Sequence, residues 1–318
     1  MLEPVNISLE SLNLVTLYPM LIPVIGALLI ICIDIFKGGL DKSLYVVMSI
    51  LFLFIDFSVL LTASDVFASD GTSMGVFDMM LIDGLAILSQ FIIVGASIFF
   101  IPLAMSGKKF HESSYPEFFA MFLFTIAALQ FMVSTDSLIL IFVALETSSL
   151  AVYTMIAMHN RNKSFEAAVK YFTMGALAAG FYSFGAMVFY ALTGSVEINQ
   201  IATVLAANGY ADMGYVLIGT VFMLAAIGFK VALIPFHTWA PDIYEGSSAA
   251  MAGFLSIVPK IALFVVAMRL FEFLIHSGVV WLEIILYIIV VLTMTLSNIW
   301  ALVQSDVKRM LAYSSISH

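Results

Sequence analysis

An all-α polytopic membrane fold is what this sequence predicts, and three observations carry the prediction. The 318 residues are 63% hydrophobic and only 10% charged, where soluble domains average about 45–50% apolar and about 25% charged. The apolar residues fall in runs of about the 20 residues that a helix needs to cross a bilayer. Lysines and arginines gather in alternate connections between those runs, as they do where loops alternate in side. At roughly 20 residues plus a short connection per span, the length accommodates roughly nine or ten spans in one membrane domain. A net charge of −9, with 12 basic residues that form no stripe, argues against a nucleic-acid partner. With Cys32 its single cysteine, the chain by itself can hold neither an internal disulfide nor a Cys-ligated iron–sulfur cluster. Glu3 and Glu10 stand where a secretory signal needs a basic region, so the first apolar run is expected to stay in the mature chain.

Apolar runs bounded by charged or turn-forming residues lie at 13–34, 43–64, 82–105, 116–134, 136–158, 166–193, 214–235, 248–275 and 279–301, and a tenth begins near Lys308. Lys37 and Lys42 follow the first span, Lys108 and Lys109 the third, Arg161 and Lys163 the fifth, and Lys308 with Arg309 the ninth. The intervening connections are acidic: Asp65, Asp70, Asp78 and Asp83, then Asp136, then Glu197 and Asp212. Only Arg269 falls toward that opposite side. The asymmetry places the basic loops in the cytoplasm and the N-terminus outside it. Trp281 and Trp300, at opposite ends of the ninth run, suit an aromatic belt. Residues 197–213 are long enough for a surface helix, and 65–81 read as a polar outer loop.

With the loops set aside, four ionisable groups remain well inside spans: Glu146, Lys170, Lys230 and Lys260. Each charge near the bilayer centre costs roughly 2.5–3.5 kcal/mol even on a lenient scale, so they must face one another, water or a partner. Glu146 lies in LETSS, where Thr147, Ser148 and Ser149 can bridge it to water. A Glu and a Lys at changing separation exchange a desolvated state for a paired one, which makes a proton switch; the plainer reading is a static packing pair. Lys230 is the obvious partner. It precedes a break, FKVALIPFHTWAPDIYEG, in which Pro235 and Pro241 remove backbone bonds at membrane depth. Such breaks survive only where protein or a water-filled cavity satisfies the freed groups. His237 lies within it, either a satisfied structural donor or a relay with an ordinary pKa near 6.5. Lys260 directly follows Pro259 in VPKIA and either relays protons or satisfies carbonyls freed by that proline. Lys170 has Glu166 one turn earlier, a simple i,i+4 pair, or it takes up protons from the cytoplasm. Asp34, Asp56, Glu117, Glu272 and Glu283 lie nearer span ends or on undecided faces.

No GxGxxG, GxxxxGK[ST] or HExxH occurs, and the histidines lack metal-ligand spacing. The methionines and phenylalanines are spread throughout the chain, as packing and lipid-facing residues are. Neither a metal nor a cofactor is expected in this chain.

The LETSS glutamate, the FKVALIPFHTWAPDIYEG run, VPKIA and the ending QSDVKRMLAYSSISH resemble the antiporter-like membrane subunits of respiratory complex I, the proton-pumping NADH:quinone oxidoreductase. The likeness covers most of residues 116–318. The PFHTWAPDIYEG form, with Tyr244 and Glu245 after the aspartate, favours the subunit N type over subunits L and M and over sodium/proton antiporter relatives. The resemblance implies an antiporter-like fold in which five-helix units with one broken helix each are repeated in inverted orientation. It implies N-terminal helices at 1–115, a proton-translocating unit at 116–275 with its break in helix seven, and helix nine with an incomplete second repeat at 276–318. Glu146, Lys230, His237, Lys260 and Lys170 would carry protons. Quinone, NADH, FMN and iron–sulfur clusters would belong to partner subunits. Expected neighbours are the K-, J- and M-type subunits, in a bacterial inner membrane. The family continues for several helices beyond this sequence, among them a second broken helix through which a proton is thought to leave. Two other readings share the fold: a subunit of a multi-subunit sodium/proton antiporter, and a structural membrane scaffold with static ion pairs.

Overall fold

A computed structural model describes residues 13–37, 41–76, 79–106, 115–159, 161–209, 213–276 and 280–318. Glu3, Glu10, Asp78, Lys108, Lys109 and Asp212 lie outside them. A short 3-10 turn at Leu14–Leu17 leads into α1 (Tyr18–Lys37), followed by α2 (Lys42–Asp70), β1 (Ser73–Gly75), β2 (Met80–Ile82), α3 (Gly84–Ser106) and α4 (Tyr115–Val133). Then come α5 (Leu138–Ala157), α6 (Asn162–Thr193), α7 (Ile198–Ala207), α8 (Met213–Val231), α9 (Trp239–Gly246), α10 (Ala249–His276), α11 (Val280–Val303) and α12 (Val307–Ser317). Among the described residues, nine helices are long and apolar enough to cross a membrane.

Helix α4 forms the centre. It is apolar around its whole circumference, the pattern of a helix buried on all sides, and α1, α2, α3, α5 and α10 all pack on it. Helix α4 is 78% enclosed, against 11% for α11, most of which the described helices leave uncovered. By alternation of direction, Lys37, Lys42, Arg161, Lys163, Lys308 and Arg309 share one end of the bundle, and Asp83, Asp136 and Glu197 the other.

The acidic end is more ordered than the polar outer loop expected at 65–81. Helix α2 runs on to Asp70, because Ala63, Ser64 and Asp65 continue the turns of an already nucleated helix, and it stops at Gly71, whose φ of 79° suits a residue without a side chain. An antiparallel pair follows, with Ser73 opposite Ile82 and Gly75 opposite Met80. This hairpin joins the α4–α5 connection: the Leu81 amide donates to the Ser134 carbonyl at 2.9 Å and the Thr135 hydroxyl to the Met79 carbonyl at 2.6 Å. The surface helix expected within 197–213 is α7, fastened by Asp136, whose carboxylate accepts from the Asn199 amide at 3.0 Å. Burial pushes the Asp136 carboxyl above its ordinary value, against the opposing pull of that amide.

Arg269 is the basic residue of this end, and Asp83 holds it in a fork of 2.8 and 2.9 Å while it donates to the Val133 carbonyl at 3.1 Å. The fork ties α10 to the start of α3 and the end of α4. Arg269→Ala is expected to cost about 2 kcal/mol, the scale of charge-assisted bonds at a mostly buried guanidinium, read as a lower Tm in detergent. Arg269→Lys should recover only part, because an ammonium cannot fork. An unchanged Tm in both variants contradicts this role.

Candidate functional site

The site begins where α8 ends. At Ala232, φ 65°, the chain turns left-handed; the Ala232 amide donates back to Phe229 at 3.0 Å and the Leu233 amide to Gly228 at 2.7 Å. This pair of bonds closes a helix C-terminus in the Schellman pattern, with alanine where glycine is usual. The span expected at 214–235 therefore ends at Val231, one turn earlier, because the left-handed residue ends the helix before Pro235 can. The groups freed by the break find protein partners: the Ile234 amide donates to the Thr293 hydroxyl of α11 at 3.1 Å, and the Trp239 indole reaches back to the Phe229 carbonyl at 2.7 Å.

One residue before the end of α8, Lys230 points inward and is 5% exposed. Its ammonium lies 3.8 Å from the Glu146 carboxylate of α5. The closer partner is Ser149, whose hydroxyl accepts from the lysine at 2.7 Å, and Tyr153 adds a hydroxyl at 3.5 Å. Glu146, Ser149 and Tyr153 are spaced three or four apart and so line one stripe of α5. Ser149 was expected to serve Glu146, not Lys230. Its own proton goes to the Leu145 carbonyl at 2.6 Å, which leaves its lone pairs to the lysine. The Glu146 oxygen nearest the lysine is buried and has no hydrogen-bond donor; the pair is drawn together by charge without a bond at 2.7–3.2 Å.

An aromatic wall encloses the lysine. Tyr171 stacks on Trp239 at 4.7 Å, and Tyr153 meets Tyr171 edge-on at 4.7 Å. Gly175 of α6 makes the room: a Cβ there would stand 1.9 Å from the Tyr153 hydroxyl. Beside Lys230 runs a cavity bordered by Thr125, Ser148, Ser149, Trp239 and Pro259, with about 20 Å³ open to the centres of water molecules. That is enough for one water, and its hydroxyls can hold it. The cavity thus reaches from Lys230 to the residue preceding Lys260.

Lys260 lies on α10, which continues through Pro259 unbroken. Its ammonium donates to the Ser315 carbonyl at 2.9 Å and hydroxyl at 2.8 Å, so its bonds go to α12 and not to carbonyls freed by its own proline. His237 lies elsewhere. Its ring stacks on Trp300 at 4.9 Å and tilts toward Tyr313 at 6.4 Å, and it does not border the cavity at Lys230. Trp300, one of the two tryptophans that suit an aromatic belt, is part-buried and packs its ring on His237; only a bundle that packs α11 against the break could reveal this contact. Lys170 is separate again. It pairs with Glu166 at 2.8 Å, as the i,i+4 spacing predicts, and with Asp242 of α9 at 3.2 Å.

The Lys170 pairs belong to a polar pocket of about 210 Å³ at the basic end, bordered by Lys163, Glu166, Lys170, Asp242, Glu245 and Arg309. Arg309 of α12 bridges Asp242 at 2.6 Å and Glu245 at 3.0 Å, and Lys163 joins Glu245 at 2.9 Å. The bonds from Lys163 and then Arg309 hold the Glu245 carboxyl below its ordinary value. Sequence reading missed Asp242 as a partner of Lys170, and Glu245 and Arg309 as members of the same ion-pair network. Their signal was present in DIYEG and DVKRM, but nothing along the chain says that α9 and α12 meet at the start of α6.

A family model described as "NADH:quinone oxidoreductase/Mrp antiporter, TM" matches residues 135–318. NADH-quinone oxidoreductase subunit N of Sulfurimonas denitrificans is 77% identical over 318 residues, all of this chain and 63% of that protein. Subunit N of Sulfurovum sp. (strain NBC37-1) is 56% identical over 320 residues, again all of this chain and 63% of that protein. Among solved structures, a chain of respiratory complex I from Thermus thermophilus is 28% identical with a TM-score of 0.73, covering 94% of this chain and 62% of that one. A chain of the archaeal membrane-bound sulfane sulfur reductase has a TM-score of 0.83 at 22% identity, covering 96% of this chain and 63% of that one, a likeness of fold. The chain spans about 63% of the length of the curated relatives it matches. With the family model matched over more than half its length, on the stretch that holds the Glu146–Lys230 pair and the broken span, this multi-pass membrane chain belongs to the NADH:quinone oxidoreductase/Mrp antiporter family.

Proposed function

We propose that the chain is part of a proton-translocating subunit N in an NADH:quinone oxidoreductase, with Lys230 as the group whose proton affinity is switched. A single observation carries the reading: a buried ammonium held between a carboxylate at 3.8 Å and a neutral hydroxyl at 2.7 Å, beside a broken helix. Approach to Glu146 favours the charged lysine and withdrawal favours the neutral amine. Quinone reduction in neighbouring subunits supplies the pulse that alters this separation. A water held in the cavity between Ser149 and Pro259 would be the next acceptor of a released proton, and Lys260 follows directly after Pro259 at the cavity's border. Lys170 supplies protons from the polar pocket at the basic end. His237, set apart against Trp300, serves a side branch in the direction of α11 and α12.

In this reading NADH, FMN, iron–sulfur clusters and quinone reside in partner subunits, the K-, J- and M-type subunits are the membrane neighbours, and the basic loops face the cytoplasm of a bacterial inner membrane. The test is Lys230→Ala in the full-length subunit within the assembled complex. Protons pumped per electron are expected to fall while quinone reduction persists, and an unchanged ratio removes Lys230 from this role. Sodium transport by the purified assembly without NADH oxidation would favour the antiporter reading instead.

A further inference from the structure

A second buried acid lies outside this track. Asp56, at the middle of α2, is fully buried, and so is Gln130 of α4. The Gln130 amide nitrogen donates to Asp56 Oδ2 at 2.9 Å. The two other side-chain oxygens, Asp56 Oδ1 and Gln130 Oε1, are enclosed and have no donor. No lysine, arginine or histidine forms an ion pair with Asp56 among the described residues.

Hydrogen-bond arithmetic then identifies what is missing. An ionised carboxylate only accepts, and an amide oxygen only accepts, so an ionised Asp56 leaves two orphan acceptors on one pair with a bare charge between apolar helices. Both deficits are of one donor. A hydrogen on Asp56 Oδ1 cancels the charge and supplies a donor for Gln130 Oε1, while Gln130 Nε2 continues to donate to Oδ2. A carboxylic acid and a carboxamide are complementary in this two-bond arrangement. The borders of the Lys230 cavity include Thr125, Leu129 and Met132 of α4 but not Gln130, so the pair faces a different side of that helix.

We propose that Asp56 and Gln130 form a proton-binding site, a carboxylic acid–carboxamide pair that keeps one proton between α2 and α4, apart from the Glu146–Lys230 track. The site stands on burial and hydrogen bonding alone and is independent of the transport reading.

Infrared spectroscopy of the full-length protein in native membranes at neutral pH tests it without turnover. The expected result is a carboxylic acid C=O band that shifts on labelling aspartate with carbon-13 and disappears in Asp56→Asn, whose amide preserves a two-bond pairing with Gln130. Loss of a carboxylate band in that variant, with no acid band lost, overturns the proposal. Gln130→Leu keeps the measurement decisive if the first variant does not assemble: the labelled acid band should move to higher frequency as its bonds are lost. A band unmoved in Gln130→Leu would show that the glutamine is not its partner and overturns the pair.

Discussion

Replacing Glu146 with leucine and Lys230 with methionine together is expected to leave the subunit assembled and quinone reduction running, while protons pumped per electron fall. The two outcomes separate because structure and transport ask different things of the pair. Well-packed apolar substitutes for a buried ion pair are often neutral or stabilising, whereas removing one partner alone costs about 3–5 kcal/mol when the other charge is left buried and unpaired. Here the cost of a single Glu146→Leu should fall at the lower end or beneath it, since Ser149 and Tyr153 still accept from the lysine. Comparing single and double variants by Tm and by pumping ratio isolates the pair. A double variant that pumps normally would support static scaffolding; one that fails to assemble while each single variant assembles would contradict the packing argument.

Gly175→Ala should be nearly as disruptive, although glycine to alanine normally favours a helix by about 1 kcal/mol. The added carbon would stand 1.9 Å from the Tyr153 hydroxyl and 3.0 Å from the ring carbon bearing it. The ring must swing away, and it carries with it one of the hydroxyls at the lysine and the edge-on contact with Tyr171. Overpacking of this kind costs about 1–3 kcal/mol, measurable as a lower Tm, and pumping should fall with it. Tyr153→Phe in the same chain removes the oxygen in collision, so the double variant should regain stability in part while the lost hydroxyl contact stays lost. Equal stability of Gly175→Ala and the parent protein would show that the helices have slack at this crossing.

The parts of the site that were legible in the sequence are those where the bilayer penalises a residue type. Glu146 and Lys230 stood out because a charge in a span needs a partner, and the break stood out through Pro235 and Pro241, the first lying just past the end of α8 and the second in the first turn of α9, where its missing N–H leaves no helical bond unmade. The partners that complete the site were hidden for a different reason. Lys230 meets Ser149 across 81 residues of chain, and Lys260 meets Ser315 across 55; such pairings follow from how helices pack, which no local pattern encodes. Ser148 and Ser149 are equivalent on paper, and only the rotation of α5 against α8 turns the second toward Lys230. Hydropathy gave the helix count well and misjudged ends where the residues remain helix-compatible, as at the extension of α2 to Asp70.

The indole of Trp239 bonded to the Phe229 carbonyl spans the interruption like a strut, fixing the gap between the two half-helices from within. With both rims pinned, the amine tip can travel without any displacement of the main chain. Closing from 3.8 Å to an ordinary bond needs a throw of about 1 Å, within reach of rotamer motion on picosecond to nanosecond times. In the proton-switch reading proposed above, a step so short and quick is not the slow step of a turnover cycle; its tempo is imposed by whatever repositions the carboxylate.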